Sequence, residues 1–151
     1  MRRFVLIGQT ASASADFSVE DLPGSSGRLD VLLRCIRAAL LVSHGLRRDV
    51  QVYLVLRGGV AAPVLLRING QSAKFLRPDE RSLATLVKKT LQALPTPGDS
   101  CVEVRPGREL RAGDVPEIVS EVGGSSCFVL HEQGGNVRSE CALGEEDWWL
   151  I

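Results

Sequence analysis

Residues 50–56 read VQVYLVL, an apolar run interrupted only by Gln51. A strand that faces water on one side alternates apolar and polar residues, whereas a nearly continuous apolar strand is covered on both faces. Three further runs have the same character: FVLI at 4–7, CFVL at 127–130 and WWLI at 148–151. Such strands are typical of a parallel sheet between helices. The sequence therefore predicts an α/β fold, with a parallel sheet and helices on both faces.

Two longer segments between these runs carry apolar residues at helical spacing. SSGRLDVLLRCIRAALLVSHG, residues 25–45, predicts a helix capped by Ser25 or Ser26, with an Asp30–Arg34 pair one turn apart. Gly45 is suited to the end of this helix, which puts His44 in its last turn. DERSLATLVKKTLQAL, residues 79–94, predicts a second helix. Its polar face exposes Lys88 and Lys89.

Shorter elements are predicted from turn residues and alternation. They are a hairpin of 64–68 and 73–76 around Gly70, an edge strand at 101–104, and a short helix at 114–122 with Pro116 in its first turn. Residues 10–27 form a long loop rich in small residues. A loop of this length is either functional or a spacer, and the sequence leaves both open.

Length and composition fit one domain. The chain has 151 residues, 44% of them hydrophobic, which is enough for a core. No segment resembles a membrane span or a signal peptide, so we expect a cytoplasmic protein. The four cysteines, Cys35, Cys101, Cys127 and Cys141, contain no C-x-x-C pair. They are therefore expected to be free, buried thiols, with neither a disulfide nor a bound metal.

The two parts of the chain differ in charge although the net charge is zero. Residues 1–94 contain 14 Lys and Arg against 7 Asp and Glu, and residues 95–151 contain 4 against 11. A basic first part favours binding of a polyanion, while ordinary solvated surface charge explains the same counts. The candidate RNA-binding residues lie on the first long helix and the turn after it: Arg28, Arg34, Arg37, Arg47 and Arg48. Arg67, Lys74 and Arg77 in the predicted hairpin are further basic candidates.

The segment CFVLHEQGGNVR, residues 127–138, is the most suggestive for chemistry. Polar residues and a Gly-Gly pair follow a buried strand directly, and ligands of open α/β sheets bind at the carboxyl ends of the strands. His131 and Glu132 could act as acid, base or hydrogen-bonding groups, or could be ordinary exposed loop residues. No P-loop, complete G-x-G-x-x-G, H-E-x-x-H or G-x-S-x-G is present, which removes the main support for NTPases, zinc hydrolases and serine hydrolases.

The order of these segments resembles a known family. MRRFVLIGQTA, GRLDVLLRCIRAALLVSHGLRRDVQVYLVLRG, FLRPDERSLATLVKKTLQAL and FVLHEQGGNVR leading to DWWLI are similar to the archaeal tRNA pseudouridine N1-methyltransferases (TrmY) of the SPOUT superfamily. The resemblance covers essentially the whole chain. It implies a SPOUT-like α/β domain with a C-terminal trefoil knot, a homodimer, and S-adenosyl-L-methionine as the donor that methylates N1 of pseudouridine 54 in the tRNA T loop.

The resemblance also implies where the donor binds. The segment matching FVLHEQGG lies beside S-adenosyl-L-methionine in the family, so Leu130, His131 and Gly134 are the expected cofactor-binding residues. Glu132 is a hypothetical acceptor for the proton that N1 of pseudouridine loses. The basic first part of the chain is expected to hold the tRNA phosphates.

The end of the chain departs from the family pattern. In the family, the strand matching DWWLI continues into a glycine-containing loop, a helix and a second loop that form the knot and supply most cofactor contacts. We therefore expect residues 1–151 to be a single methyltransferase domain that is incomplete at its C-terminus. An alternative is a terminal strand that pairs at an interface or packs its tryptophans under existing helices. The rival function is a noncatalytic RNA-binding remnant of such an enzyme.

Overall fold

The computed structural model describes residues 1–60, 63–93, 101–123, 125–140, 144 and 146–151. The strands are β1 Arg2–Ser12, β2 Leu41–Val42, β3 Gly45–Leu46, β4 Val50–Gly58, β5 Val64–Asn69, β6 Val102–Arg105, β7 Arg108–Ala112, β8 Cys127–Val129 and β9 Trp148–Leu150. The helices are α1 Leu22–Ser25, α2 Leu29–Leu40, α3 Glu80–Leu91, α4 Val115–Val122 and α5 Val137–Glu140.

Seven strands form the central sheet in the order β6-β7-β5-β4-β1-β9-β8. The four predicted apolar runs lie in β4, β1, β9 and β8, and they are neighbours paired in parallel. The α/β prediction is confirmed. On the other side of β4 the sheet is antiparallel, because short connections join β4 to β5 and β6 to β7, and β5 pairs with β7 in the same sense.

Helices cover both faces of the sheet, as predicted. Alternate side chains of β4 point to opposite faces, so that Leu54 packs with α2 and α3 while Val55 packs with α4. The α2 and α3 face holds the larger core, to which α2 contributes Leu29, Leu33 and Ile36. The α4 face is smaller and includes Ile118 and Val122 of that helix.

The first long helix is shorter than predicted. The predicted serine cap is wrong in position: the N-cap residue is Arg28, whose side chain makes no capping hydrogen bond, although Ser26 Oγ accepts a hydrogen bond from Leu29 N–H at 3.1 Å. The helix ends at Leu40, because Leu41 is extended and the chain turns back, and Arg47 N–H donates to the Leu40 carbonyl at 2.8 Å. Gly45 therefore lies in β3 rather than at a helix end, and His44 is in the hairpin turn.

The predicted hairpin partner at 73–76 is not a strand. The chain turns directly after β5, where Ala73 N–H donates to the Asn69 carbonyl at 2.8 Å. β5 instead pairs with β4 and β7. Lys88 is another correction: it is half-buried, and its Nζ donates to the Phe17 carbonyl at 2.6 Å and lies 5.5 Å from the centre of the Phe17 ring.

The two tryptophans of β9 face opposite sides of the sheet. Trp148 is only 2% exposed and packs among the residues beneath α4, with its ring centre 5.3 Å from that of Tyr53. Trp149 is half-buried and stacks on Phe128 of β8 at 4.8 Å. β9 is therefore an interior strand between β1 and β8, and its α4 face is covered.

The cysteine prediction is only partly confirmed. Cys35, Cys101 and Cys127 are free, but Cys35 is half-buried and the other two are exposed, because Cys101 precedes an edge strand and Cys127 begins one. Cys141 lies outside the described residues. Within the described residues, no helix is long and apolar enough to cross a membrane, and no group of three or more His, Cys, Asp or Glu residues could hold a metal ion.

Candidate functional site

The carboxyl ends of β4, β1, β9 and β8 meet at one border of the sheet, which we call the carboxyl edge. The ladder extends one step past β8 and β9, because Leu130 N–H donates to the Leu150 carbonyl at 2.8 Å and Ile7 N–H donates to the Ile151 carbonyl at 2.8 Å. Leu130 is thereby fixed in position where the strand ends. Its side chain is 45% exposed, and that of Val129 is 69% exposed.

A tight turn follows Leu130. His131 accepts two hydrogen bonds in this turn, from Gln133 N–H to its ring Nδ1 at 3.2 Å and from Gly134 N–H to its carbonyl at 2.9 Å. A side chain at position 134 would bring Cβ within 3.0 Å of the His131 carbonyl, so glycine suits this close approach.

Glu132 lies in the same turn and is exposed. Within the described residues its carboxylate has no recorded hydrogen bond or ion pair. The structure thus brings Leu130, His131, Glu132 and Gly134 together at the carboxyl edge, as the sequence predicted. Their roles in catalysis and cofactor binding stay predictions.

The carboxyl edge also holds a polar cluster that the sequence analysis missed. Arg57, near the end of β4, donates from Nε to Asp114 Oδ1 at 2.9 Å and from Nη2 to the same oxygen at 2.8 Å. Its Nη1 donates to Gln9 Oε1 on β1 at 3.0 Å. We call these three residues the Arg57 cluster. The sequence does contain a signal for Arg57: it directly follows the apolar run 50–56, and a polar residue after such a run lies at the carboxyl edge, as after Leu130.

Asp114 holds the cluster to α4. Its Oδ1 also accepts from Val115 N–H at 2.7 Å, and Asp114 N–H donates to Glu117 Oε2 at 2.8 Å, which completes a capping box. The hydrogen bonds from Arg57, followed by that from Val115, lower the pKa of Asp114 below its ordinary value. Asp114 is therefore a carboxylate at neutral pH.

The predicted basic residues fall into three groups. Arg28 and Arg34 both bind the buried carboxylate of Asp30, Arg28 at 3.0 Å and Arg34 at 2.7 Å, and these bonds lower the pKa of Asp30. Arg48 donates from Nη1 to the carbonyls of Gly70, Gln71 and Ala73 at 3.0–3.3 Å. Arg37 and Arg47 are exposed and have no recorded ion pair or hydrogen bond within the described part of the chain. Within the described residues, no protein group competes with a phosphate for these two guanidinium groups.

The further basic candidates also separate. Arg67 is half-buried on β5 and forms an ion pair with Glu109 on β7, which is a structural arrangement. Lys74 and Arg77 lie in the loop after β5 and are exposed.

Comparison with known proteins gives the family. A profile described as "Putative SAM-dependent RNA methyltransferase" matches residues 1–144. Proteins named tRNA (pseudouridine(54)-N(1))-methyltransferase match with 43% identity over 91% of this chain in Methanococcoides burtonii, 38% over 99% in Methanocella arvoryzae and 42% over 91% in Methanosarcina acetivorans. The matched regions span 68%, 77% and 64% of those three proteins, respectively. The chain belongs to this family of S-adenosylmethionine-dependent RNA methyltransferases.

Proposed function

We propose that this protein transfers the methyl group of S-adenosyl-L-methionine to N1 of pseudouridine 54 in the T loop of tRNA. The observation that carries the proposal is the 38–43% identity, over 91–99% of the chain, to relatives that bear this activity in their names. We further propose that residues 1–151 belong to one domain, because one sheet includes strands from β1 to β9. A tRNA-modifying role also favours the cytoplasm as its location.

The carboxyl edge has groups that fit the donor. Adenosine has an apolar ring face and a polar rim, and the edge offers the exposed side chain of Leu130 next to a turn that is exposed throughout. We assign Leu130, His131 and Gly134 to cofactor binding: Leu130 through its side chain, and Gly134 by letting the main chain approach closely. When bound, S-adenosyl-L-methionine supplies an electrophilic methyl group and leaves as S-adenosylhomocysteine.

Glu132 is our proposed proton acceptor. N1 of pseudouridine is a ring N–H, so it must lose its proton when the new N–C bond forms. An exposed carboxylate with no recorded protein partner within the described residues is available to take that proton. Glu132→Gln keeps the size of the side chain and removes its basicity, and we expect it to reduce methyl transfer while tRNA binding is retained. Methyl transfer by Glu132→Gln at the normal rate would show that another group accepts the proton.

The Arg57 cluster is proposed to orient the RNA at this edge. A guanidinium has five N–H groups, and three of those of Arg57 are used on Asp114 and Gln9. The remaining two can bind an anionic or carbonyl oxygen of the substrate in a fixed direction. Because β1 and the start of α4 both hold Arg57, its side chain is already ordered before substrate binds.

The basic residues on and after α2 are proposed to contact tRNA phosphates. Arg37 and Arg47 are the strongest of these, because neither has a recorded protein partner within the described residues. Arg28, Arg34 and Arg48 can contribute only with the donors that Asp30 and the 70–73 carbonyls leave unused. We therefore expect these five arginines to contribute unequally to tRNA binding. Their spacing along the chain does not predict this difference.

The homodimer implied by the family resemblance is proposed as well. β8 is an edge strand, and exposed apolar side chains of Val129 and Ile151 lie beside it. A second copy of the chain would cover such side chains. Light scattering coupled to size-exclusion chromatography tests this, and a mass equal to one chain at micromolar concentration would contradict it.

The test of the function uses the full-length product of the gene that encodes this chain. It is incubated with methyl-labelled S-adenosyl-L-methionine and two T stem-loop RNAs that differ only in uridine or pseudouridine at position 54. We expect label in the pseudouridine RNA alone. The rival, a noncatalytic RNA-binding remnant, predicts no transfer to either RNA and no heat of S-adenosyl-L-methionine binding in calorimetry.

A further inference from the structure

A basic groove lies far from the Leu130 turn. It is bounded by α3, by the loop at 73–77 and by the turn between β6 and β7, and its volume is about 740 Å³. The groove is at the β6 border of the sheet, whereas Leu130 follows β8 at the opposite border. Six strand spacings of about 4.8 Å put these borders about 29 Å apart. The cations on and beside the groove are Lys74, Arg77, Arg81, Lys89, Arg105 and Arg108.

Two of these cations face each other, and neither forms an ion pair with a residue that the structure describes. Arg105 and Arg108 are paired in register across the β6–β7 turn. Burial, and secondarily the charge of Arg105, lower the pKa of Arg108 below its ordinary value. The buried Nε of Arg108 makes no hydrogen bond within the described residues. Like charges opposite each other in a hairpin destabilise it, and an anion bound between them removes that repulsion.

The nearby carboxylates leave most of this charge uncompensated. Glu103 lies in the same hairpin, where it accepts from Gly107 N–H at 3.1 Å. Arg81 forms an ion pair with Glu20, and Arg77 is beside Asp79. No ion pair is recorded for Lys74 or Lys89 within the described ranges. The groove is therefore complementary to a polyanion.

Phe75 adds a second kind of contact. Its side chain is 92% exposed and lines the groove next to Lys74. Its φ is 60°, in the left-handed region that is unfavourable for a bulky residue. Single exposed apolar residues are common, but this aromatic ring is held in water by a strained backbone between cations. Aromatic rings in basic grooves serve as stacking platforms for unpaired bases.

We propose that this groove binds a single-stranded segment of the RNA substrate, with one base stacked on Phe75 and phosphates bound by Arg105, Arg108 and Lys89. The proposal rests on the proposed function, which makes RNA the substrate, and it extends the RNA-binding surface beyond the carboxyl edge. Stacking on an unpaired base explains the exposed ring of Phe75, and binding of phosphates explains the facing Arg105 and Arg108. Neither the fold nor the methyl transfer requires these features. A duplex has no free base face, so the groove prefers single strands.

The test is fluorescence anisotropy with a labelled ten-nucleotide single-stranded RNA and a twelve-base-pair RNA duplex, without S-adenosyl-L-methionine. Phe75→Ala should weaken single-strand binding about 5- to 150-fold, the range expected for one stacked base. Phe75→Tyr retains the ring and should bind within about threefold of the unmodified protein. The matched charge control is Arg111→Gln, on the α4 face of β7 and ion-paired with Glu121, which should leave binding unchanged.

Neutralising the groove tests its charges. Arg105→Gln with Arg108→Gln should reduce the slope of log affinity against log salt by about 1.4, which is about 0.7 for each phosphate that the protein no longer neutralises. Thermal melting is measured alongside, and Lys89→Gln, at an exposed helix position, repeats the test where folding is not at risk. An unchanged affinity in Phe75→Ala and unchanged salt slopes in the charge variants would overturn the proposal, as would equal effects on the duplex.

The outcome separates this proposal from the function. If the variants bind RNA as the unmodified protein does, and the protein still methylates tRNA, the groove proposal is wrong and the proposed function stands. If the variants bind RNA more weakly but the unmodified protein transfers no methyl group, the groove proposal is supported and the proposed function is contradicted. A protein that binds neither RNA overturns the groove proposal, and the methyl-transfer assay alone then decides the function.

Discussion

Arg57 and Asp114 join the end of β4 to the start of α4 through two hydrogen bonds to one carboxylate oxygen, at 2.9 and 2.8 Å. The same oxygen caps the helix by accepting from Val115 N–H. Because α4 covers Trp148, this one carboxylate connects the carboxyl edge to the packing of the sheet. An arginine held in this way is ordered without any ligand, which is the property that a substrate-orienting group needs.

The helix cap and the ion pair can be separated by substitution at Asp114. Asp114→Ala removes both, and we expect the free energy of unfolding to fall by about 1 kcal/mol, chiefly because the cap is absent. Asp114→Asn keeps an equally good capping group and removes only the charge, so its effect should be smaller, because partly exposed ion pairs contribute little. Urea unfolding measures both. Equal effects would show that the ion pair, rather than the cap, carries the stability.

Stability should fall in acid through Asp30 and Asp114. Hydrogen bonds from Arg28 and from Arg57 lower the pKa of Asp30 and Asp114, respectively. A carboxyl whose pKa is lower in the folded state stabilises the fold fully above its unfolded value, about 3.9, and the contribution is lost as pH falls through the folded value. We therefore expect the free energy of unfolding to decline below about pH 4.

Asp30→Asn is the matched variant for this pH effect. It cannot titrate, so its unfolding free energy should be lower at pH 6 and should change less between pH 4 and pH 2 than that of the unmodified chain. Urea unfolding at each pH gives the comparison. A variant that follows the acid dependence of the unmodified chain would assign that dependence to other carboxyl groups.

The two tryptophans of β9 should differ in their contribution to stability. Trp148 is buried under α4 against Tyr53, whereas Trp149 is half-buried on Phe128. Trp148→Ala should lower the free energy of unfolding by about 3–5 kcal/mol, the usual range for a buried tryptophan. Trp149→Ala, the control in the same strand, should cost less. Denaturation in urea ranks the pair, and a larger effect at Trp149 would show that its face of β9 is the better packed one.

Arg47 and Arg48 are adjacent but should behave differently. Arg48 binds three carbonyls of the 70–73 turn, so Arg48→Ala should lower the melting temperature. Arg47 has no recorded partner within the described residues, so Arg47→Ala should leave melting unchanged while it weakens tRNA binding and reduces the salt slope by about 0.7–0.9. Filter binding at several salt concentrations checks this. An unchanged slope in Arg47→Ala would exclude a phosphate contact at this residue.

Much of the fold could be predicted because it depends on local apolar patterns. The runs at 4–7, 50–56, 127–130 and 148–151 became adjacent parallel strands, as nearly continuous apolar runs predict, but β8 lies at the sheet edge and leaves Val129 69% exposed rather than covered. The edge strand at 101–104 and the helix at 114–122 were also correct to within about one residue. These elements needed no knowledge of the rest of the chain.

The errors came where tertiary contacts override local preference. Residues 41–46 continue a helical pattern but form a hairpin, and residues 73–76 look like a strand but are an irregular loop after the turn whose carbonyls Arg48 binds. At the site, the Leu130 turn was predictable because its residues are consecutive. The Arg57 cluster joins positions 9, 57 and 114, and no spacing rule connects residues that only the sheet order brings together.

The identity of the methylated atom tests the central claim most directly. Full-length protein is incubated with S-adenosyl-L-methionine and a tRNA that carries pseudouridine at position 54, and the nucleosides of the T loop are analysed by mass spectrometry against a 1-methylpseudouridine standard. The account predicts 1-methylpseudouridine at position 54, and none when position 54 is uridine. A methyl group on any other atom or nucleotide, or unmodified tRNA after prolonged incubation, would contradict it.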